Sequence, residues 1–334
     1  MPDKTIGTAL THHEKKLFPF VDVWFFLQIV ILQKQFFIAL LQMCIRDRDD
    51  LGRYADAADL RHFYESFALS GLEVMPLGED PQHLVEKDMV TGVHLCCITD
   101  WMDLDQAMLL SHYRKDLDYA RRMRAEYVVF HVTQVSYAES LTYEMRHSDA
   151  EVVDAAAAFI NELLDGQDYP FWFLMENLWW PGLNMLDAAI TSRLLSQVHY
   201  EKKGIMLDTG HFMNNHYHLQ TPEDAVVCLN QMLDAHEPLL PMIRGIHLNQ
   251  SLSGAYMKDY LQHPLTPKDA PEALATQAFL HIFQIDQHRP FTAPGVRKLI
   301  DRISPLYVTL EYITRDRKEH AQFLKEGTEA LFCK

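Results

Sequence analysis

Asp208 closes a short apolar run, Gly204-Ile205-Met206-Leu207, and is followed by a turn dipeptide and an imidazole, Thr209-Gly210-His211. A carboxylate at the end of a buried strand is costly unless it is paired or holds a metal. Two readings stay open for this stretch alone: Asp208 caps a helix beside a surface His211, or both face a site. Other apolar runs repeat the pattern, since His94, His131, Glu176, His247 and Glu311 each stand at or near the end of one. Imidazole nitrogen suits Zn²⁺ or Mn²⁺, and carboxylate oxygen suits Mn²⁺, Mg²⁺ or Zn²⁺. A single strand-end histidine is more often a core or rim residue. Repetition over six of seven strands points instead to a shared divalent-metal site. In the long segment between His247 and Glu311, Asp286-Gln287-His288 offers two more ligands on one face of an extended segment, with a solvated turn before Pro290 as the equal alternative. Trp179 and Trp180 follow Glu176 and suit either an aromatic wall for a small polyol or the packing of a loop.

The elements that must position these residues alternate. The pattern of Leu60, Phe63, Tyr64 and Phe67 predicts a helix within Asp50–Ser70. Strands are expected at Gly71–Met75, Val93–Cys97, Tyr127–Val132, Phe171–Glu176, Gly204–Asp208, Ile243–Leu248 and Tyr307–Glu311. Helices fall between them, at about Leu104–Ala125, from the capping box Ser148-Asp149-Ala150-Glu151 to Gly166, from Thr221-Pro222, and over Asp316–Leu331. Apolar strands separated by helices imply a parallel sheet covered on both faces. Seven such units point to a closed (β/α)₈ barrel of the TIM type, in which chemistry sits at the C-terminal strand ends. No glycine-rich nucleotide loop follows any strand, so no nucleotide cofactor is expected.

One barrel strand is unaccounted for and is expected in the N-terminal region, within Val23–Leu41, unless the barrel is open there. Leu17–Cys44 is far more apolar than the rest, yet Val23–Gln33 is too short an uncharged run to span a membrane, which needs roughly 20 residues. No small-residue cleavage site follows it. Met43-Cys44-Ile45-Arg46-Asp47-Arg48 resembles translated adapter sequence. Residues 1–48 are therefore set apart as a doubtful, atypical extension, and 49–334 as the barrel domain.

The 334 residues are 48% hydrophobic, enough for a sizeable core, and carry a formal charge of −16. That charge disfavours a nucleic-acid-coating protein. The densest basic cluster, Arg121, Arg122 and Arg124, precedes a strand and so belongs to the face opposite the site. Five scattered cysteines without a CxxC pair suit a reducing cytoplasm, and Cys96 and Cys97, inside an apolar run, are expected in the core. No membrane partner is expected, and self-association into a homo-oligomer is left open.

Leu207-Asp208-Thr209-Gly210-His211, Gly245-Ile246-His247-Leu248-Asn249 and Leu310-Glu311 resemble motifs of the xylose-isomerase-like barrel superfamily, over about Gly71 to the C-terminus. The superfamily includes sugar isomerases and epimerases and the endonuclease IV type of abasic-site nuclease. In its epimerase branch the resemblance implies one divalent metal (Mn or Zn, with Mg or Co as alternatives) on Glu176, Asp208, His247 and Glu311. Glu176 and Glu311 would then be the acid and base, with His211 near the substrate. The nuclease branch implies three zinc ions, with His94, His131, His211, Asp286 and His288 as further ligands. The arginine that often follows the β7 histidine in ketose epimerases has no counterpart after His247, a departure from that branch that bears on the substrate. The leading expectation is isomerisation or epimerisation of a small sugar by proton transfer next to a carbonyl. A multi-zinc phosphoesterase is the alternative, and a barrel that binds without turnover is the third class.

Overall fold

The computed structural model describes residues 40–45, 51–69, 71–76 and 84–332. Eight parallel strands close into a barrel in chain order: β1 (Leu40–Ile45), β2 (Leu72–Val74), β3 (Val90–His94), β4 (Tyr127–His131), β5 (Trp172–Glu176), β6 (Lys203–Asp208), β7 (Ile243–Leu248) and β8 (Tyr307–Leu310). The helices around it are α1 (Ala57–Glu65), α2 (Gln106–Met123), α3 (Tyr137–Thr142), α4 (Asp149–Leu164), α5 (Ala188–Gln197), α6 (Thr209–Met213), α7 (Pro222–Ala235), α8 (Gly254–Tyr260), α9 (Pro271–Ile285), α10 (Val296–Ile303) and α11 (Arg317–Phe332).

The first strand is the point of greatest interest in the closure. Its slot is filled by Leu40–Ile45, so only Leu40 and Leu41 belong to the stretch Val23–Leu41 expected there. Residues 1–39 and 46–50 lie outside the described residues. Met43 is buried and sits beside Leu72 of β2 and Leu310 of β8, joining the two edges that would otherwise be open.

Side chains alternate across each strand, and the alternation divides the core in two. Val128, Phe130, Phe173, Met175, Ile205 and Leu207 pack outward beneath the helices. Tyr127, Val129, Leu174, Met206 and Tyr307 form a separate packed layer. Leu174 and Met206 stand two residues before Glu176 and Asp208, on the same strand faces, so this layer is the floor beneath the strand-end carboxylates. Each buried Leu or Met in it stabilises the fold by roughly 1.5–3 kcal/mol. Gly92 makes room for the floor, because a Cβ there would lie 2.3 Å from the Tyr127 ring.

The capping signals hold: Ser148–Glu151 and Thr221–Asp224 both close capping boxes, and Gly166 is left-handed just past α4. Two expectations are corrected. β3 ends at His94 and not at Cys97, so Cys96 is half-buried and Cys97 exposed, and neither is a core residue. The chain leaves the sheet there, with the Leu95 amide donating to the Val129 carbonyl (2.9 Å). The long segment before β8 is helical for much of its length, holding α8, α9 and α10, and Asp286 caps the end of α9 where an extended segment was expected.

Candidate metal centre

Glu176, buried at the end of β5, is the hub of the rim. Its Oε2 lies 3.1 Å from His94 Nε2 and 3.0 Å from His131 Nε2. Its Oε1 lies 3.0 Å from His247 Nδ1 and 3.3 Å from His211 Nδ1. The two oxygens of one carboxylate thus face two different pairs of imidazoles.

His247, on β7, is surrounded by carboxylates. Besides Glu176, its Nδ1 faces Glu311 Oε2 at 2.9 Å and Asp208 Oδ2 at 3.9 Å. Its Nε2 faces Glu73 Oε2 at 3.2 Å, and Glu73 also accepts from the Tyr127 hydroxyl (2.7 Å). Even a protonated His247 offers one N–H at Nδ1 to three buried carboxylates. Buried charge is stable only when compensated, so this point calls for more positive charge than the imidazole carries. A divalent cation fits it, and Glu176, Asp208, His247 and Glu311 have ligand atoms within 4.8 Å of one another.

Asp208 both caps a helix and faces the rim. Its Oδ1 caps α6 by accepting from the His211 amide (2.6 Å), while Oδ2 accepts from Asn249 Nδ2 (2.8 Å). Asn177 brackets its backbone, accepting from the Asp208 amide (2.9 Å) and donating to the Asp208 carbonyl (3.0 Å). His211 is buried, so the surface-histidine alternative is corrected. Gly210 permits this arrangement, since a Cβ there would meet Asn249 Oδ1 at 1.8 Å.

Asp286 and His288 reach the same rim from the far end of α9. Asp286 Oδ2 lies 2.9 Å from His288 Nε2 and 3.5 Å from His211 Nε2. His288 does so with a left-handed backbone, φ 43°, an uncommon conformation outside glycine that concentrates at functional sites. Two further donor groups therefore flank the central one, His94–His131–Glu176 and Asp208–His211–His288. All nine ligand positions suggested by the sequence are brought together. Trp179 and Trp180 are buried and in tilted ring contact (4.2 Å between centroids, 36° between planes), and Trp179 lies 5.3 Å from the His211 ring. They belong to the packed cluster of Leu178, Met257, Tyr260 and Ile285.

Sequence reasoning missed Glu73, Asn177, Asn249 as a holder of Asp208, and Cys97, whose Sγ lies 2.9 Å from His131 Nδ1. A carboxylate in the middle of Leu72-Glu73-Val74 was the available signal for the first.

Charge at the rim is strongly coupled. Burial opposes charging of His247, yet Glu176, Glu311 and Glu73 raise its pKa well above 6.5. Burial likewise opposes His211, which Asp208 and Asp286 raise. Burial would raise Glu311, but His247 and His288 hold it down at about 2. Asp208 goes the other way, pushed up to about 6 because burial outweighs His211 and His288. His131 is lowered by burial in spite of Glu176.

These directions set the pH response of the metal-free protein. The raised imidazoles contribute stability that is complete below pH 6.5 and lost as pH rises through their folded pKa. Asp208 also disfavours folding once it ionises, between its ordinary 3.8 and about 6. Glu311 contributes above 4.5 and loses that contribution as pH falls toward about 2. Metal binding runs opposite to the imidazoles, because ligands must lose protons to bind. Chelator-treated protein should therefore show a Tm that falls from roughly pH 6.5 upward, while the Tm gain on adding Zn²⁺ or Mn²⁺ grows over that range. A flat metal-free Tm across that range would count against the coupled cluster.

A closed parallel barrel whose C-terminal rim gathers buried imidazoles and carboxylates defines a class of protein. The chain belongs to the xylose isomerase-like TIM barrel family, whose model matches residues 56–327. Among solved structures it is similar to the IolI protein with a bound zinc atom, at 11% identity and TM-score 0.50, over 84% of this chain and 91% of that one. It is also similar to a xylose isomerase-like TIM barrel protein from Mycobacterium smegmatis in complex with magnesium, at 12% identity and TM-score 0.48, over 82% and 89%. A sugar phosphate isomerase/epimerase from Parabacteroides distasonis matches at 12% identity and TM-score 0.47, over 86% and 91%. No curated protein matches the sequence. Among the described residues no helix is long and apolar enough to cross a membrane.

Proposed function

We propose that the protein is a multinuclear, divalent-metal-dependent hydrolase of small phosphoesters. The observation that carries this reading is Glu176, whose Oε1 and Oε2 each face a different imidazole pair at 3.0–3.3 Å. A carboxylate so placed suits a bridge between two cations. Zinc-like ions would be held by His94, His131 and Glu176, by Glu176, Asp208, His247 and Glu311, and by Asp208, His211, His288 and Asp286. Bound divalent ions supply Lewis acidity toward phosphoryl oxygens and water.

The chain's own residues do the positioning. Glu73 fixes the ring orientation of His247, and Asn249 and Asn177 fix Asp208, which keeps ligand atoms in place as outer partners of a metal site do. The apolar floor lowers the local dielectric and strengthens every charge interaction above it. Trp179 would form one wall of the substrate pocket and keep solvent from the His211 side. The formal charge of −16 supports a small substrate over a nucleic acid, and the free cysteines support a reducing compartment such as the cytoplasm.

A one-metal sugar isomerase or epimerase is the second reading. It is favoured by the completeness of the group Glu176, Asp208, His247 and Glu311, all of it buried. Against it, both oxygens of Glu176 already face imidazoles, which leaves it poorly placed to take a proton from carbon. Elemental analysis of the purified chain, with a phosphoester panel and a ketose panel run in deuterated water, separates the two. Two or three ions per chain with phosphate release is the expected result. One ion per chain, with deuterium entering a sugar, would overturn the hydrolase reading in favour of the second.

A further inference from the structure

We infer that His216, His218 and Cys228 form a separate surface site for a zinc-like transition metal. None of the three belongs to the donor groups of the rim. The two histidines lie on the connection after α6, two residues apart, and Cys228 lies within α7. One ligand atom from each lies within 4.8 Å of the others. In a tetrahedral zinc site, with nitrogen at about 2.0–2.1 Å and sulfur at about 2.3 Å from the ion, donors approach one another more closely than that. The exposed His218 can close the difference by rotating its side chain.

The environment suits a soft-to-borderline cation. His216 packs its ring on Phe212 (4.6 Å) and against His218 (5.6 Å), and its Nε2 is buried with no hydrogen-bond partner among the described residues. Burial, with His218 beside it, keeps His216 below its usual pKa, in the neutral form that binds metals. Two imidazoles and one thiol, with an open side at exposed His218, match zinc, cobalt or copper(I) and fit magnesium or calcium poorly.

The site would pin the connection between α6 and α7. Asn214, two residues before His216, donates to Asp286 Oδ1 (3.4 Å) and accepts from the Ser253 hydroxyl (2.9 Å). A metal at His216 and His218 thus holds the segment that supports Asp286 at the rim. This inference does not depend on the reaction proposed for the rim.

The test is Co²⁺ titration of the full chain after chelator treatment, read by the near-ultraviolet sulfur-to-cobalt charge-transfer band. Cys97 lies beside His131, so variants must assign the band. The expected result is a band that persists in Cys97→Ser and in Glu176→Gln and is lost in Cys228→Ser, together with one Co²⁺ per chain. His218→Ala, at an exposed position, should weaken Co²⁺ binding at this site at least about tenfold while the fold is kept. No band in the unaltered chain, a band that follows Cys97, or unchanged affinity in His218→Ala would each overturn the inference.

Discussion

Glu176→Gln should strip the chain of at least two of its rim metals and lower turnover by more than about 100-fold, beyond the ~10–100-fold typical of losing an outer partner of a metal site. Glutamine matches glutamate in shape, so the apolar floor below it, Leu174 and Met206, is undisturbed. What changes is charge and donor direction. One of the two oxygens becomes an NH₂ group that must face either the His94–His131 pair or the His211–His247 pair. An amide donor cannot serve a cation there, and the imidazoles lose a carboxylate that burial would raise but that His247 and His131 hold well below its ordinary pKa. Glu311→Gln is the graded comparison. Glu311 faces His247 (2.9 Å) and, at 3.9 Å, His288, and belongs to the central donor group rather than to the His94–His131 group, so its loss should cost one ion and leave the His94–His131 group loaded. Metal content per chain, turnover and far-UV circular dichroism read out both variants. A Glu176→Gln protein with full metal content, or one that loses no more metal than Glu311→Gln, would remove the bridging role on which the hydrolase reading stands.

The barrel was legible because its strands are short apolar runs spaced by helical periodicity, and the donors were legible because each stands where such a run ends. His94, His131, Glu176, Asp208, His247 and Glu311 could be taken from the chain in that way and all meet at the rim. Periodicity carries less information where a run continues past the sheet. Val93–Cys97 is apolar apart from His94, but the strand stops at His94, and nothing in the composition of Cys96 and Cys97 shows that they lie outside the core. Glu73 was hidden for the opposite reason. It sits inside a strand and not at its end, and its role depends on His247, a partner 174 residues away that only barrel closure brings within 3.2 Å. Strand β1 was hidden because its neighbours in sequence carry no strand-helix alternation, so its place is set by pairing with β2 and β8 alone.

Asp286 and His288 decide how many ions the rim uses. Their Asp-x-His spacing was visible in the sequence, yet an extended segment was the wrong geometry: Asp286 ends α9 and His288 turns left-handed at φ 43° to bring its Nε2 within 2.9 Å of Asp286 Oδ2. Holding a non-glycine residue there costs on the order of 1–2 kcal/mol, a strain the fold retains where the imidazole has a task. His288→Asn is the informative substitution, because asparagine tolerates that backbone region while removing the imidazole. The central group of Glu176, Asp208, His247 and Glu311 is left whole. In a three-ion hydrolase, His288→Asn should remove one ion per chain and lower phosphoester turnover by at least the ~10–100-fold that loss of an outer partner of a metal site costs, with Tm in chelator changed little. In a one-ion isomerase the same variant should keep its single metal and lose activity through substrate affinity, a KM effect with kcat retained. Asp286→Asn should behave like His288→Asn under the first reading, since Asp286 touches both His288 and His211. Equal metal content in the unaltered chain and in both variants would place Asp286 and His288 outside the metal shell and confine the rim to the central group.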